Sequence, residues 1–289
     1  MTISPVLCKN INNLNIILVF IHLVLSIIVF CLPSPSYILY LFLGISIIVC
    51  TIILLSSIDC KMTVFDNYKL VLIENFKELS PSQQFLKIIP KILYINLEKR
   101  NDRKLDFLSN FQDYDTESNI IERIDAVDTP ENGRIGCLKS HIKALKYALT
   151  LDLPYILITE DDFYIKDMNY AVNSINTFLK NFKNWDVLML GINKHIAEPT
   201  DIEGIIRIKS GGTASGYLVK KNYIPKIISI YERDLNKYNT TQEWSDEYCV
   251  DVSWVELQKV DLWYSFTPSI GIQRPSYSDI EKKKVDYQV

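Results

Sequence analysis

Three consecutive acids, Glu160-Asp161-Asp162, follow the apolar run at residues 154–159 (PYILIT). An apolar run bounded by proline and charge predicts a short strand, so the acids emerge at its carboxyl edge. Carboxylates at spacing i, i+2 on an extended backbone point the same way. Like charges held that close favour a bound divalent cation, and oxygen ligands suit Mg²⁺ or Mn²⁺. A cation there would bridge a diphosphate and neutralise charge as it leaves. A solvated acidic turn is the alternative that three residues alone leave open.

Two other stretches bear on chemistry. Gly136-Cys137-Leu138-Lys139-Ser140-His141 reads as a loop entering a helix, where backbone N–H groups with a nearby hydroxyl and imidazole hold phosphate; a plain helix start is the alternative. Ser210–Tyr217 is the Gly-rich stretch of a chain with nine glycines. It lets backbone approach a ligand closely, or it is a tight turn before a strand. No Walker A, Gly-x-Gly-x-x-Gly or Gly-x-Ser-x-Gly sequence is present, so P-loop, Rossmann and hydrolase-elbow sites lack support. His141 and His195 are the histidines beyond residue 60 and there is no CxxC pair. A multi-histidine centre or structural zinc site is therefore not expected.

The elements that must position these residues alternate. Strands are predicted at residues 91–97, 120–127, 154–159, 187–190 and 217–219. Helices are predicted at 101–111, opened by an Asn cap, at 139–151 and at 168–182. Strand-helix alternation predicts an α/β fold, a mainly parallel sheet flanked by helices, with ligands at the carboxyl ends of the strands.

The net charge of -3 argues against nucleic acid as a partner. Residues 1–60 hold two charged residues, Lys9 and Asp59. Apolar runs at about 16–32 and 37–58 predict a two-helix transmembrane hairpin, broken by Pro33-Ser34-Pro35-Ser36. The expected organisation is the hairpin at 1–60, a connector at 61–90, a catalytic domain at 91–280 and a tail at 281–289. The expected localisation is a multi-pass membrane protein, its soluble domain leaning cytosolic from Lys9 and Lys61.

In order along the chain stand Tyr94-Ile95-Asn96-Leu97 with Arg100 and Arg103, Arg123-Ile124-Asp125-Ala126, Gly136-Cys137 with Ser140-His141, and Glu160-Asp161-Asp162. Gly212-Thr213 with Gly216-Tyr217, then Asp251, and Pro268-Ser269, Gln273, Ser276 and Ser278-Asp279-Ile280 follow. This series, from about residue 92 to 280, resembles glycosyltransferase family 25, which includes lipopolysaccharide and procollagen galactosyltransferases. The resemblance implies a GT-A-like fold, a nucleotide-sugar donor (UDP-galactose or UDP-glucose) and Mn²⁺ or Mg²⁺. It implies Glu160 and Asp162 as metal ligands. It implies donor contacts from Asn96, Leu97, Arg100, Arg103, Asp125, Ser140, Asp161, Gly216 and Tyr217.

The implied reaction moves a hexose to a hydroxyl of a glycan, lipopolysaccharide, lipid-linked glycan or protein acceptor. Inversion requires a general base, for which Asp251 is the first candidate and His141 the second; a helix-bracing role for Asp251 is the alternative. Two other classes are weighed against this reading. A metal-dependent hydrolase would need further His or Asp ligands. A catalytically inactive, membrane-anchored binding module would share the fold but would have no reason to keep the acidic cluster.

Overall fold

The computed structural model describes residues 79–111 and 119–286, within a unit spanning Leu79–Val289. Helix α1 (Pro81–Ile88) opens on a capping box: Ser80 Oγ accepts from the Gln83 amide, and the Gln83 side chain accepts from the Ser80 N–H. Pro81 sits in the first turn, where a missing N–H costs nothing. The chain continues through β1 (Ile92–Asn96), α2 (Asn101–Ser109), β2 (Ile121–Asp125), α3 (Gly133–Thr150), β3 (Tyr155–Glu160), β4 (Phe163–Ile165) and α4 (Met168–Asn181). Then come β5 (Val187–Met189), β6 (Asn193–Pro199), β7 (Ile205–Gly212), β8 (Gly216–Lys220), α5 (Ile224–Thr241), α6 (Val250–Ser253) and α7 (Val255–Val260). The last strands are β9 (Trp263–Phe266), β10 (Gly271–Gln273), β11 (Ser276–Ser278) and β12 (Lys283–Val285). Helix α1 packs on α4 and buries Phe85 and Leu86, so residues 81–88 are part of this unit although they fall in the expected connector.

The eight-stranded sheet runs β2-β1-β3-β8-β5-β9-β7-β6. Pairs β1–β2, β1–β3 and β5–β9 are parallel; β3–β8, β5–β8, β7–β9 and β6–β7 are antiparallel. The expectation of a mainly parallel sheet is corrected to a mixed one. A parallel crossover takes a dozen or more residues. No such crossover joins β5 to β8: β6 continues in the direction of β5, the five-residue link at 200–204 closes the β6–β7 hairpin and reverses the chain, and β8 continues in the direction of β7. Strand β1 is buried along its whole length. Leu93 and Ile95 join the core beneath α3. Tyr94, on the other face, stacks on Phe107 of α2 at 4.6 Å. The strand's unbroken apolar run follows from this two-sided burial.

Two local expectations also change. Helix α2 is capped by Arg100 without a side-chain cap bond, and Asn101 is already helical. Helix α3 starts six residues earlier than predicted, at Gly133, capped by Asn132 Oδ1 accepting from the Arg134 amide. Gly136–His141 therefore lie inside the helix. The membrane localisation is corrected as well: among the described residues no helix is long and apolar enough to cross a membrane. The longest, α3 and α5, carry charges such as Lys139, Lys143, Lys226 and Arg233 along their length. The expected spans at about 16–32 and 37–58 lie outside the described residues.

Phe163 holds the acidic turn in place. It is fully buried, and the antiparallel pairing of β10 with β4 places Gly271 beside its ring. A Cβ on Gly271 would sit 2.1 Å from Phe163 Cε2, and one on Gly216 would sit 2.5 Å away. Rigid ring atoms cannot yield that distance. Gly271→Ala is expected to destabilise the protein by about 1–3 kcal/mol, the usual cost of overpacking, read as a lower thermal midpoint. An unchanged midpoint would show that the ring has room to move.

Candidate active site

Strand β3 delivers Glu160 at its end, and the turn to β4 presents Asp161 and Asp162. The i, i+2 geometry expected for Glu160 and Asp162 does not persist, because the backbone leaves the strand at Asp161. The three acids face two environments. Glu160 Oε1 lies 3.3 Å from His141 Nε2 and 3.6 Å from Cys137 Sγ. Asp161 and Asp162 turn toward Arg103, whose Nη1 is 2.8 Å from Asp161 Oδ1 and 3.2 Å from Asp162 Oδ2. Arg103 Nη2 also donates to Ser276 Oγ at 2.6 Å and to the Tyr277 carbonyl at 3.0 Å. Arg103 thus ties α2, the acidic turn and β11 together.

Burial sets the charge state. Asp161 and Asp162 are each about 6% exposed. Burial, then the negative charge of Glu160, push the Asp162 carboxyl up to about 7, against the pull of Arg103. Burial likewise raises Asp161, although Arg103 and Asn96 favour its charged form. Glu160 differs. Burial would raise it, but the hydrogen bond and charge of His141 hold it below the usual carboxylate range. Asp162 Oδ1 is buried with no hydrogen-bond partner, an expensive state for a carboxylate oxygen.

Most of the expected donor-contact residues converge on one cleft of about 690 Å³. Leu97, Arg100, Arg103, Ser140, His141 and the three acids line it. Asn96 stands behind, donating to Asp161 Oδ2 at 2.7 Å. Arg100 Nη1 donates to Asp279 Oδ2 at 2.6 Å, fixing α2 against the segment after β11. Ser140 Oγ accepts from the Val127 amide at 2.8 Å and donates to the Gly136 carbonyl at 2.6 Å. Its hydroxyl thus clamps the β2–α3 loop.

Four expected residues lie elsewhere. Asp125 is exposed and ion-paired with Arg123. Gly216 packs on Phe163. Tyr217 is fully buried, its hydroxyl 3.1 Å from His141 Nδ1. Asp251 lines a second cleft of about 880 Å³, between α5, α6 and β7.

The two clefts are joined by a chain of contacts. Asp251 Oδ2 accepts from the Thr213 amide at 3.0 Å. Thr213 Oγ1 donates to Gln273 Oε1 at 3.3 Å, and Gln273 Nε2 donates to Asp162 Oδ2 at 3.2 Å. Thr213 has φ 73°, a left-handed conformation rare for a branched residue. That strain lets one residue serve both partners. Gln273 and the cleft cations Lys99, Arg134 and Lys282 received no role from sequence. Gln273 sits in the closing motif, but only the β10–β4 pairing brings it to the acids.

Residues 131–236 match glycosyltransferase family 25 (LPS biosynthesis protein). The matched segment runs from the cap of α3 through β3, the acidic turn and β8 into α5. No curated protein matches the chain. Among solved structures, a mannose-1-phosphate geranyltransferase from Thermus thermophilus is 8% identical with TM-score 0.34. The match covers 60% of this chain and 58% of that one, so the chain spans little more than half of that protein's length. A glycosyltransferase involved in the glycosylation of the major capsid of PBCV-1 is 11% identical with TM-score 0.36, over 66% of this chain and 95% of that one. Likeness at this level says nothing of activity.

Proposed function

We propose that the chain transfers a hexose, galactose or glucose, from a UDP-sugar to a hydroxyl of a glycan, lipid-linked glycan or protein. The observation that carries this reading is Asp162: a buried carboxylate with one unpartnered oxygen, beside Glu160, at the strand end that opens into the 690 Å³ cleft. A buried acid whose like-charged neighbour raises its pKa marks a functional site. The fold reading is GT-A-like, with the donor at the carboxyl end of β3 and the diphosphate among Lys99, Arg100, Arg134 and Lys282. A volume of about 690 Å³ lies within the roughly 300–1,000 Å³ of small-molecule sites.

The residues fit the divalent metal that the family implies. Asp162 Oδ1 needs a positive partner, Glu160 adds a second hard oxygen donor, and Mg²⁺ or Mn²⁺ is commonly held by one or two carboxylates plus phosphate oxygens. Bound there, the cation would offset the charge of the departing diphosphate. The protein supplies the rest. Arg103 and Asn96 fix the acidic turn, and Gln273 orients Asp162 Oδ2.

The acceptor approaches from the second cleft. As its oxygen bonds to the sugar carbon, the carbon–oxygen bond to the diphosphate breaks and the hydroxyl proton passes to Asp251. The Thr213 amide holds that carboxylate, and the Thr213–Gln273 bridge sets its position relative to Asp162.

The test is a panel of nucleotide sugars offered to the full chain with Mn²⁺, followed by release of nucleoside diphosphate. One donor should be turned over, and a chelator should stop it. Asp251→Asn should bind that donor as before yet lose about 10²-fold or more in transfer, the range of a general base. Full activity in that variant would remove Asp251 from the role.

A further inference from the structure

Cys137, His141 and Glu160 form a second cluster, which shares Glu160 with the pair assigned to the hard metal. Cys137 and His141 stand four residues apart on α3, hence on one helix face, and that face is turned to the end of β3. One donor atom from each lies within 4.8 Å of the other two. A tetrahedral site with bonds of about 2.0–2.3 Å requires donors about 3.5 Å apart for sulfur and oxygen and about 3.3 Å apart for nitrogen and oxygen. The observed separations are 3.6 Å for Cys137 Sγ and Glu160 Oε1, and 3.3 Å for His141 Nε2 and Glu160 Oε1. The second of these is long for an N–H···O hydrogen bond.

The support behind the cluster is of the kind that orients a ligand. His141 is completely buried, and its Nδ1 lies 3.1 Å from the Tyr217 hydroxyl. Metal binding would replace the Nε2–H···Glu160 hydrogen bond by the tautomer in which Nδ1–H donates to Tyr217 and the lone pair of Nε2 faces the cluster. Tyr217 is itself fixed by Trp254, edge-on at 5.1 Å. All three residues line the 690 Å³ cleft, so a fourth coordination position opens into it. Three protein ligands with one open position is the pattern of exchangeable rather than purely structural zinc.

We propose that Cys137 Sγ, His141 Nε2 and Glu160 Oε1 form a binding site for a borderline-soft divalent cation, Zn²⁺ by chemistry. On binding, the cation takes the thiolate and the thiol proton passes to water. Thiolate and imidazole select such an ion over Mg²⁺. Glu160 belongs to both sites, so Zn²⁺ is expected to inhibit sugar transfer by withdrawing it; that clause alone rests on the transferase reading.

The test uses Co²⁺ as the probe on the full reduced chain. A sulfur-to-cobalt charge-transfer band should appear, Zn²⁺ should displace it, and excess Mg²⁺ should not. Cys137→Ser should remove the band. His141→Asn should weaken Co²⁺ binding by roughly 100-fold or more, at or beyond the upper end of losses seen for outer-shell changes. Cys249→Ser, the other cysteine among the described residues, and Asp162→Asn should both keep the band. Circular dichroism checks that each variant is folded. Absence of a band in the full chain, or its persistence in folded Cys137→Ser, overturns the site. Because the readout is optical, a chain that turns over no nucleotide sugar would still decide for or against the zinc site.

Discussion

Asp162→Asn is expected to cut sugar transfer about 10³-fold and, in the metal-free protein, to raise the melting temperature. The two effects share one cause. Asp162 is buried beside Glu160 and Asp161, and its carboxyl is pushed up to about 7 by burial and by the charge of Glu160. The unfolded value is about 3.9. The folded form therefore holds the proton more tightly, and stability is lost as pH rises from about 4 to 7. At about 1.4 kcal/mol for each tenfold change in proton affinity, the metal-free protein should lose roughly 2–3 kcal/mol between pH 5 and pH 8. An asparagine in that place has no charge to desolvate, so the variant should show a flatter stability–pH profile and the higher midpoint at pH 8. Transfer should fall about 10³-fold, the upper range for removing one preorganised electrostatic group from an active site. Gained stability with lost activity is the mark of a strained functional residue. A variant less stable than the parent at pH 8 would show that Arg103 outweighs burial and Glu160, and that Asp162 braces the fold.

Parts of this site were legible in sequence for physical reasons. Strands β1 and β3 are buried on both faces, so their residues form unbroken apolar runs, and the acids follow β3 directly. The start of α3 was hidden because its first residue, Gly133, is a poor helix former, and the cap that decides it is one side-chain bond from Asn132. The β6–β7 hairpin was not predicted at all. Strand β6 (NKHIAEP) is an exposed edge with no apolar alternation, and its end carries Pro199. The alternation expected for a parallel sheet failed at β8, which inserts antiparallel between β3 and β5; the β6–β7 hairpin reverses the chain before it reaches β8.

The site shows the same division. Arg103 and Asp161 are 58 residues apart, yet both lie in motifs whose order along the chain resembles family 25, so their proximity was implied. The path from Asp162 through Gln273 and Thr213 to Asp251 runs between four separate segments, and one link is a backbone amide. Nothing in residue type announces it. Tyr217 and Gly216 stand in the Gly-rich stretch expected to meet the donor. The structure spends them on packing: one supports His141, the other makes room for Phe163.

Arg103→Leu is the opposite of the Asp162 change and should be the most destabilising of the substitutions considered. Among the described residues, Arg103 is the one cation placed within 4.0 Å of both Asp161 and Asp162, with side-chain exposures of 16% for the arginine and 8% and 7% for its partners. Leucine fills similar volume, but it leaves Asp161 and Asp162 facing each other and Glu160 without compensation. It also cuts the bonds to Ser276 and Tyr277 that hold β11. Breaking a buried pair from one side costs about 3–5 kcal/mol, which for a unit of this size is a fall in midpoint of roughly 6–20 °C. The loss should be greater at pH 8 than at pH 5. Without Arg103 the carboxyls move further up, so at pH 5 protons replace the missing charge. Arg103→Lys should recover only part, because an ammonium cannot span two carboxylates, a hydroxyl and a carbonyl as a guanidinium fork does. The double variant Arg103→Leu/Asp162→Asn should recover much of the stability but none of the activity, a coupling that separates repulsion among the acids from lost packing. A double variant no more stable than Arg103→Leu alone would assign the whole effect to the link with β11.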